Sequence, residues 1–237
     1  MIKLDDIKRN KDIITMVNWA NRVLAALGYT DHGPSHVSYV SNTAADILKQ
    51  LGYPQRTVEL AAIAGWVHDI GNCMNRKHHG LTGANMIFPI LLEMQMPMDE
   101  ICAITSAIGH HEEENGVPVS EISSALIIAD KSDAHRTRVR KGKYDIHDIH
   151  DRVNYAIQKT RLIIDKDRKI IRYEIDMDST SSVMEFMEIY LSRMILCQKA
   201  ASYLGCKFLL VVNDVVINNH IFEPNDAKLT KDEEVSA

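Results

Sequence analysis

Histidine and aspartate residues recur along this chain in a pattern that could bind metal ions. They stand singly or in adjacent pairs, as His32, His36, His68-Asp69, His78-His79, His110-His111 and Asp130. Imidazole nitrogen and carboxylate oxygen suit Zn, Fe, Mn, Co or Ni, and the absence of cysteine at these points argues against a structural zinc site of the Cys type. The residue types therefore indicate a divalent transition metal and leave its identity open.

The doublet His68-Asp69 carries the strongest of these signals. Taken singly, a buried histidine is more often a hydrogen-bonded core residue than a metal ligand. The doublet, however, ends the apolar run "AGWVHDIGN". An ionised carboxylate beside an imidazole in apolar surroundings is costly unless a partner compensates both groups. A cation at the end of the helix would provide that compensation.

Helices must position these residues, because each group falls near the end of an amphipathic stretch. Apolar residues at helical spacing, with terminal glycines and prolines, predict helices over 12–28, 34–52, 54–71, 80–94, 98–111 and 120–131. Helix ends from different segments can converge. We therefore expect residues that are distant in sequence to share one cavity.

The pattern changes near residue 159. "TRLIIDKDRKIIRYEID" predicts a β-hairpin, the following amphipathic stretch a long helix, and "CKFLLVVNDVVIN" a strand. The predicted fold is mainly α, with a helical unit at 1–158, a small α+β unit of order β-β-α-β at 159–222, and a flexible polar tail at 223–237. The α+β unit could cover the pocket, restrict substrates or form a dimer interface, since pairing across a homodimer would protect its strand edges.

Composition limits the partners of the protein. The 237 residues carry a formal net charge of −5, so no overall field recruits a nucleic acid polymer or an anionic membrane. The first residues lack the apolar core of a signal peptide, and no apolar run is long enough to span a bilayer. The four cysteines form no CxxC pair and lie in apolar helical stretches, which is typical of buried, reduced cysteines. We expect a cytoplasmic protein that acts on a small molecule.

The ordered set His36, His68-Asp69 and Asp130 resembles the HD-domain metal-dependent phosphohydrolase superfamily. "AAIAGWVHDIGN" leads an apolar helix into the doublet, and "ALIIADKSDAHRTR" ends one at the last aspartate. The resemblance covers residues from about 30 to about 140. It implies an HD-type helical bundle and a divalent metal bound by these four residues. It also implies that Asp69 can bridge a second metal and take part in catalysis.

Further histidines stand where two-metal members of the superfamily place their additional ligands. These are His79 and either His110 or His111. The "HHE" sequence is similar to the HD-GYP branch, which hydrolyses cyclic dinucleotides. Asn72 replaces the lysine usual in that branch, and no Gly-Tyr-Pro follows, so the resemblance favours the superfamily over the branch. By its position, Asn72 would contact a substrate phosphate.

The resemblance implies hydrolysis of a phosphomonoester or phosphodiester bond by a metal-activated water, in a nucleotide-like or other small phosphorylated substrate. His32 stands where related enzymes carry a proton donor or an extra metal ligand, and an exposed loop histidine is the alternative. Arg136 and Arg138 could clamp a phosphate or belong to a solvated loop. Glu112, directly after the paired histidines, is a candidate catalytic acid.

Lys131 and Asp133 follow Asp130 on the same turn. We expect them to contact the metal ligands, not the metal, and to hold those ligands in their orientation. Two other functional classes stay open. A few HD proteins are di-iron oxygenases with similar ligands, and the sequence separates them poorly from hydrolases. A non-catalytic, metal-stabilised ligand-binding module for regulation is the third class, although the complete set of expected ligands argues against a degenerate site.

Overall fold

The computed structural model describes residues 1–140, 142 and 144–218. Its N-terminal part is helical and runs through α1 (Leu4–Arg9), α2 (Lys11–Ala26), α3 (Pro34–Leu51), α4 (Gln55–Val67), a 3₁₀ helix (Ile70–Cys73), α5 (His79–Glu93), α6 (Met98–Gly109) and α7 (Glu121–Lys131). The six predicted helices correspond to α2–α7 and are confirmed. The predicted helix 54–71 ends early, however, because the chain leaves the α-helix after Val67 and turns through His68-Asp69 into the 3₁₀ helix.

Local signals explain where these helices begin and end. The Asn10 side chain accepts hydrogen bonds from two N–H groups of the first turn of α2, and Ser120 caps α7 through the Ser123 N–H. Pro34 occupies the first turn of α3, which ends at Gly52 with a positive φ of 86°. The same residues that punctuate the sequence therefore set the helix lengths.

Two glycines bring the helix ends close together. A Cβ on Gly65 of α4 would lie 2.7 Å from the Ser41 Cα, so this glycine permits close packing of α4 on α3. A Cβ on Gly71 would lie 2.0 Å from the His79 carbonyl oxygen, so the 3₁₀ helix can approach the first turn of α5. The two contacts place the ends of α3, α4 and α5 around one point.

The C-terminal part is an α+β unit with one more strand than predicted. A short 3₁₀ turn (Arg136–Arg138) precedes α8 (Ile149–Ala156), β1 (Ile157–Asp165), β2 (Ile170–Met177), α9 (Val183–Tyr203), β3 (Lys207–Val212) and β4 (Val215–Val216). The sheet order is β1-β2-β3-β4, with β2 parallel to β3 through α9 and the other pairs antiparallel. The predicted single last strand is wrong, because Asn213 and Asp214 take positive φ angles and turn the chain into β4.

Both parts contribute to one hydrophobic core. Helix α9 buries Phe186, Tyr190 and Leu196, and Tyr173 of β2 donates a hydrogen bond to the Ser132 carbonyl at 2.9 Å. The boundary predicted at 158/159 falls inside β1. Residues 219–222 of the predicted unit and the predicted tail 223–237 lie outside the described residues. Within the described ranges, no helix combines the length and apolarity needed to cross a membrane.

Candidate metal centre

Four buried imidazole rings meet where the helix ends converge. His36 lies in the first turn of α3, His68 directly follows α4, His79 begins α5, and His111 follows α6 by two residues. None of the four is more than 4% exposed. The sequence therefore places single histidines at separate helix ends, and the packing of those helices brings the rings together.

The ring nitrogens of these histidines are divided between two tasks. Each Nδ1 faces a carbonyl or carboxylate oxygen: Asp133 at 2.6 Å for His36, Gly65 at 2.9 Å for His68, Arg76 at 2.9 Å for His79 and Ile108 at 2.6 Å for His111. In the neutral form of each ring, Nδ1 therefore carries the hydrogen and Nε2 is the acceptor. The Nε2 atoms of His36 and His68 lie 3.3 Å apart, and those of His79 and His111 lie 3.1 Å apart. Lone pairs at these separations need a proton or a cation between them.

Asp69 stands between the two histidine pairs. Its Oδ2 lies 3.6 Å from the Nε2 atoms of both His36 and His68. Its Oδ1 lies 3.2 Å from His79 Nε2 and 4.0 Å from His111 Nε2. Within the described residues, Oδ2 is buried and accepts no hydrogen bond. One carboxylate therefore presents a different oxygen to each pair.

Asp130, in the last turn of α7, completes the group around His36 and His68. Its Oδ1 lies 3.3 Å from His36 Nε2 and 3.5 Å from His68 Nε2. Its Oδ2 accepts a hydrogen bond from Lys131 Nζ at 2.5 Å. We call His36, His68, Asp130 and Asp69 Oδ2 the first subsite. Asp69 Oδ1, His79 and His111 form the second subsite.

The donor set fits divalent transition metals. It consists of neutral imidazole nitrogens and carboxylate oxygens, as Zn, Fe, Mn, Co and Ni prefer. The otherwise unpartnered Asp69 Oδ2 gains a partner if a cation binds.

Charges inside the centre shift the pKa values of its members. Burial would raise the pKa of Asp69, but the His68 imidazole and a hydrogen bond from His79 lower it well below its usual value. Burial would lower the pKa of His79, but hydrogen bonds to Asp69 and Glu112 raise it to about 9. For His111, burial and the neighbouring His79 lower the pKa to about 3. In the absence of metal, the second subsite thus pairs a charged imidazole with a neutral one.

A cavity of about 310 Å³ opens onto the metal centre. Its wall contains Asp69, His79 and Asp130 from the centre and the cationic side chains Arg76, Lys131, Arg138 and Arg193. Tyr190 and Arg193 of α9 also line the cavity, so the C-terminal unit forms part of the wall, and covering the pocket is one of the roles that the sequence leaves open for it. The size suits a small molecule.

His32 lies on the cavity wall beside the first subsite. Its Nδ1 faces the Thr30 carbonyl at 2.8 Å, which leaves Nε2 for the cavity. One potential ligand atom from each of His32, His36 and Asp69 lies within 4.8 Å of the others. Burial and the charge of Arg138 lower the pKa of His32 well below its usual value. The neutral ring favours metal ligation over proton donation.

The side chains of three predicted site residues make contacts other than those that the sequence predicts. His110 turns its Nδ1 to the Ser106 carbonyl at 2.8 Å, so His111 is the member of the pair that joins the centre. Arg136 bonds to Gln158 at 2.5 Å and stacks over the Tyr155 ring, which holds it outside the cavity wall. The side-chain amide of Asn72 donates to Asp69 Oδ1 at 2.8 Å, so this residue orients a ligand instead of facing a substrate.

Lys131, Asp133 and Arg138 lie where the sequence places them. Asp133 Oδ2 fixes the His36 ring, and Lys131 contacts Asp130. Arg138 lines the cavity, but its NH1 group donates to Asp133 Oδ2 at 3.1 Å, and its Nε donates to the Asp31 carbonyl. Glu112 contacts His79 Nδ1 at 3.0 Å, which gives it an orienting position.

Sequence reasoning missed Arg76, Glu113 and Arg193. Arg76 stands three residues before His79, so its proximity to the site could have been noticed. Its NH1 group lies 3.4 Å from both His79 Nε2 and Asn72 Oδ1. Arg193 lies 63 positions after Asp130, on a helix with no local motif, and only the packing of α9 brings it to the cavity.

Parts of this chain are similar to known proteins. Residues 35–137 match the family model of the HD domain, which confirms the resemblance drawn from the ordered histidines and aspartates. The uncharacterized protein MJ1020 of Methanocaldococcus jannaschii is 25% identical over 210 residues, covering 78% of this chain and 80% of the relative. A crystal structure of a predicted HD superfamily hydrolase from an uncultured Thermotogales bacterium is 22% identical with a TM-score of 0.43, and the match covers 56% of this chain and 75% of that one.

Proposed function

We propose that this protein, whose residues 35–137 match the family model of the HD domain, is a metal-dependent phosphohydrolase that binds two divalent cations and cleaves a phosphate ester bond of a small phosphorylated substrate. The observation that carries the proposal is the position of Asp69. Its two oxygens face two different histidine pairs, and the buried Oδ2 has no hydrogen-bond partner among the described residues. A carboxylate placed in this way suits a bridge between two cations.

The residues of the centre would hold the cations at fixed positions. His36, His68 and Asp130 would bind the first cation, His79 and His111 the second, and Asp69 both. A pair of divalent cations supplies an activated water and stabilises the charge of phosphoryl oxygens. Asp133 and Glu112 fix two of the ligand rings through Nδ1, and Asn72 fixes Asp69, so the ligands keep their orientation.

The cavity wall favours an anionic substrate. Arg76 and Arg138 stand near the second and first subsites respectively, and either guanidinium can donate to phosphate oxygens. His32 would serve as a further ligand of the first cation through Nε2, because its Nδ1 already faces the Thr30 carbonyl. The Mn, Fe, Zn, Co and Ni ions all remain candidates, and the substrate is a small molecule of about the size of the cavity.

Metal analysis combined with an ester screen tests the proposal. Protein purified without chelators is analysed for metals and then assayed with phosphomonoesters and phosphodiesters in the presence of each divalent metal. We expect close to two metals per chain and hydrolysis that a chelator abolishes. Asp69→Ala should lose metal and activity together.

Two results would contradict the proposal. If the metal-loaded protein hydrolyses no ester of a broad panel, a phosphohydrolase function is excluded. Oxygen consumption with the same protein under reducing conditions would instead support the di-iron oxygenase class. An Asp69→Ala variant that keeps full metal content and activity would remove the bridging carboxylate from the proposal.

A further inference from the structure

Arg193 is a cation of the cavity for which the proposed reaction has no role. It lies on α9, in the C-terminal unit, and lines the cavity. Its Nε pairs with Glu113 Oε1 at 3.0 Å, and its guanidinium stacks 4.8 Å above the centre of the Tyr190 ring. Its side chain is 31% exposed. A guanidinium held at one nitrogen and on one face, and still open to the cavity, is suited to bind an anion.

A short series of charges links Arg193 to the first subsite. Glu113 Oε1 lies 3.4 Å from Lys131 Nζ, and Lys131 in turn contacts Asp130 Oδ2 at 2.5 Å. Glu113 is therefore shared between two cations. A metal bound by Asp130 would neutralise part of the carboxylate charge that now balances Lys131. This part of the cavity wall would then be more positive.

The other cations nearby have partners that hold them in place. Lys131 is 5% exposed and is engaged by Asp130 and Glu113. Arg138 is 12% exposed and donates to the Asp133 side chain and to two carbonyls. Arg76 lies against His79 Nε2, so an anion bound there would also reach the second subsite. Arg193 is more exposed than Lys131 and Arg138, and two charged side chains stand between it and the metal ligand Asp130.

Another part of the cavity wall repels anions. The carboxylates of Asp148, the N-cap residue of α8, and of Asp151 in its first turn line this part of the cavity. A substrate with a second anionic group would therefore gain most by placing that group against Arg193, on the wall formed by α9.

We infer that the substrate carries two anionic groups, one that binds at the metal centre and a second, a phosphate or carboxylate, that binds Arg193. This inference rests on the proposed function, because the first group is the phosphate that the metals bind. It gives the C-terminal unit a specific task, which is to select doubly anionic substrates.

Binding of non-hydrolysable probes tests the inference separately from catalysis. Methylphosphonate has one anionic group, and methylenebisphosphonate has two. Isothermal titration of the manganese-loaded protein should show that the bisphosphonate binds about tenfold tighter or more, as expected for one additional charged hydrogen bond. Arg193→Met should remove this preference and leave methylphosphonate affinity within about twofold, because methionine keeps the packing on Tyr190.

Matched variants separate recognition from folding. Arg193→Lys keeps the charge without the fork of donors and should retain part of the preference. Arg168→Met, at an exposed turn of the β-hairpin, should change neither affinity. Thermal unfolding and metal content of each variant are measured alongside, and both should match the wild type.

The outcomes distinguish the two proposals. If methylphosphonate binds but the bisphosphonate gains nothing, or if Arg193→Met keeps the preference, the inference is wrong and the proposed function stands. If neither probe binds the metal-loaded protein, the inference and the proposed function fail together. A preference that is lost in Arg193→Met and partly kept in Arg193→Lys supports the inference.

Discussion

The first and second subsites of the metal centre share Asp69 but differ in how completely the described residues surround them. His36, His68, Asp130 and Asp69 Oδ2 face the first subsite, with His32 close by. The second subsite has two histidines and the other oxygen of Asp69. Its charge balance also differs, since the first subsite receives two carboxylates and the second shares one. A cation should therefore bind more tightly at the first subsite.

The residues around the two subsites increase the expected difference in cation affinity. Asp133 holds the His36 ring, and Lys131 holds the second oxygen of Asp130. At the second subsite, Glu112 holds His79, but the Arg76 guanidinium lies 3.4 Å from the ligand atom of the same ring. A cation at the second subsite must displace or repel that positive charge. The same type of ligand atom, histidine Nε2, would therefore serve a stronger site and a weaker site side by side.

Removal of a first-subsite ligand should have the largest effect. His68→Ala deletes a ligand that is fully buried and removes one of the two imidazoles that face both Asp69 and Asp130, so repulsion between these carboxylates increases. We expect both metals to be lost and phosphoester hydrolysis to fall to background. Metal content by mass spectrometry and thermal unfolding check this result. A His68→Ala protein that still binds two metals would overturn the ranking of the subsites.

Removal of a second-subsite ligand should have a smaller, selective effect. His111→Ala should lower the metal content from two toward one, because the first subsite keeps all its ligands. His110→Ala is the matched control and should keep two metals, since that ring bonds to the Ser106 carbonyl outside the centre. The opposite pattern, with His110→Ala losing metal, would show that the helix end is built differently in solution.

The pH dependence of metal binding sharpens the comparison further. The pKa of His79 is raised to about 9, so at pH 7 a second cation must displace a proton. Apparent affinity at the second subsite should therefore increase about tenfold per pH unit below pH 9 and level off above it. The pKa of His36 is also raised, by Asp130 and Asp133 against burial and Arg138, so the first subsite changes in the same direction.

Titration of manganese in buffers of different ionisation enthalpy measures the protons released. At pH 7.5 the second cation should release about one proton. His111→Ala, which lacks the second subsite, should lose that release and keep the binding of the first cation. A second cation that binds without proton release at pH 7.5 would contradict the charge assigned to His79.

The histidines and aspartates that meet in the candidate metal centre could be picked out from the sequence because their signals are local. Helix periodicity, glycines and prolines mark the helix ends, and the ligands lie at those ends. The sequence could not choose between His110 and His111, because adjacent residues at a helix end point in different directions that only the geometry of the last turn decides. It also could not separate Arg136 from Arg138, since the 3₁₀ turn sends one toward Gln158 and the other into the cavity. Arg193 depends on tertiary packing alone.

Substitution of the arginines should have the smallest effect. The sequence favours Arg136 as the phosphate contact, whereas the structure favours Arg76. Arg76→Ala removes a guanidinium at the second subsite and should raise the KM for a phosphate ester about tenfold, as expected for one charged hydrogen bond. Metal content should stay the same or increase, because a positive charge near His79 is lost. Arg136→Ala should leave KM within about twofold, since that side chain stacks on Tyr155 outside the cavity. Steady-state kinetics of the two variants with one ester check both expectations, and a larger effect at Arg136 than at Arg76 would return the phosphate contact to the turn after Asp130.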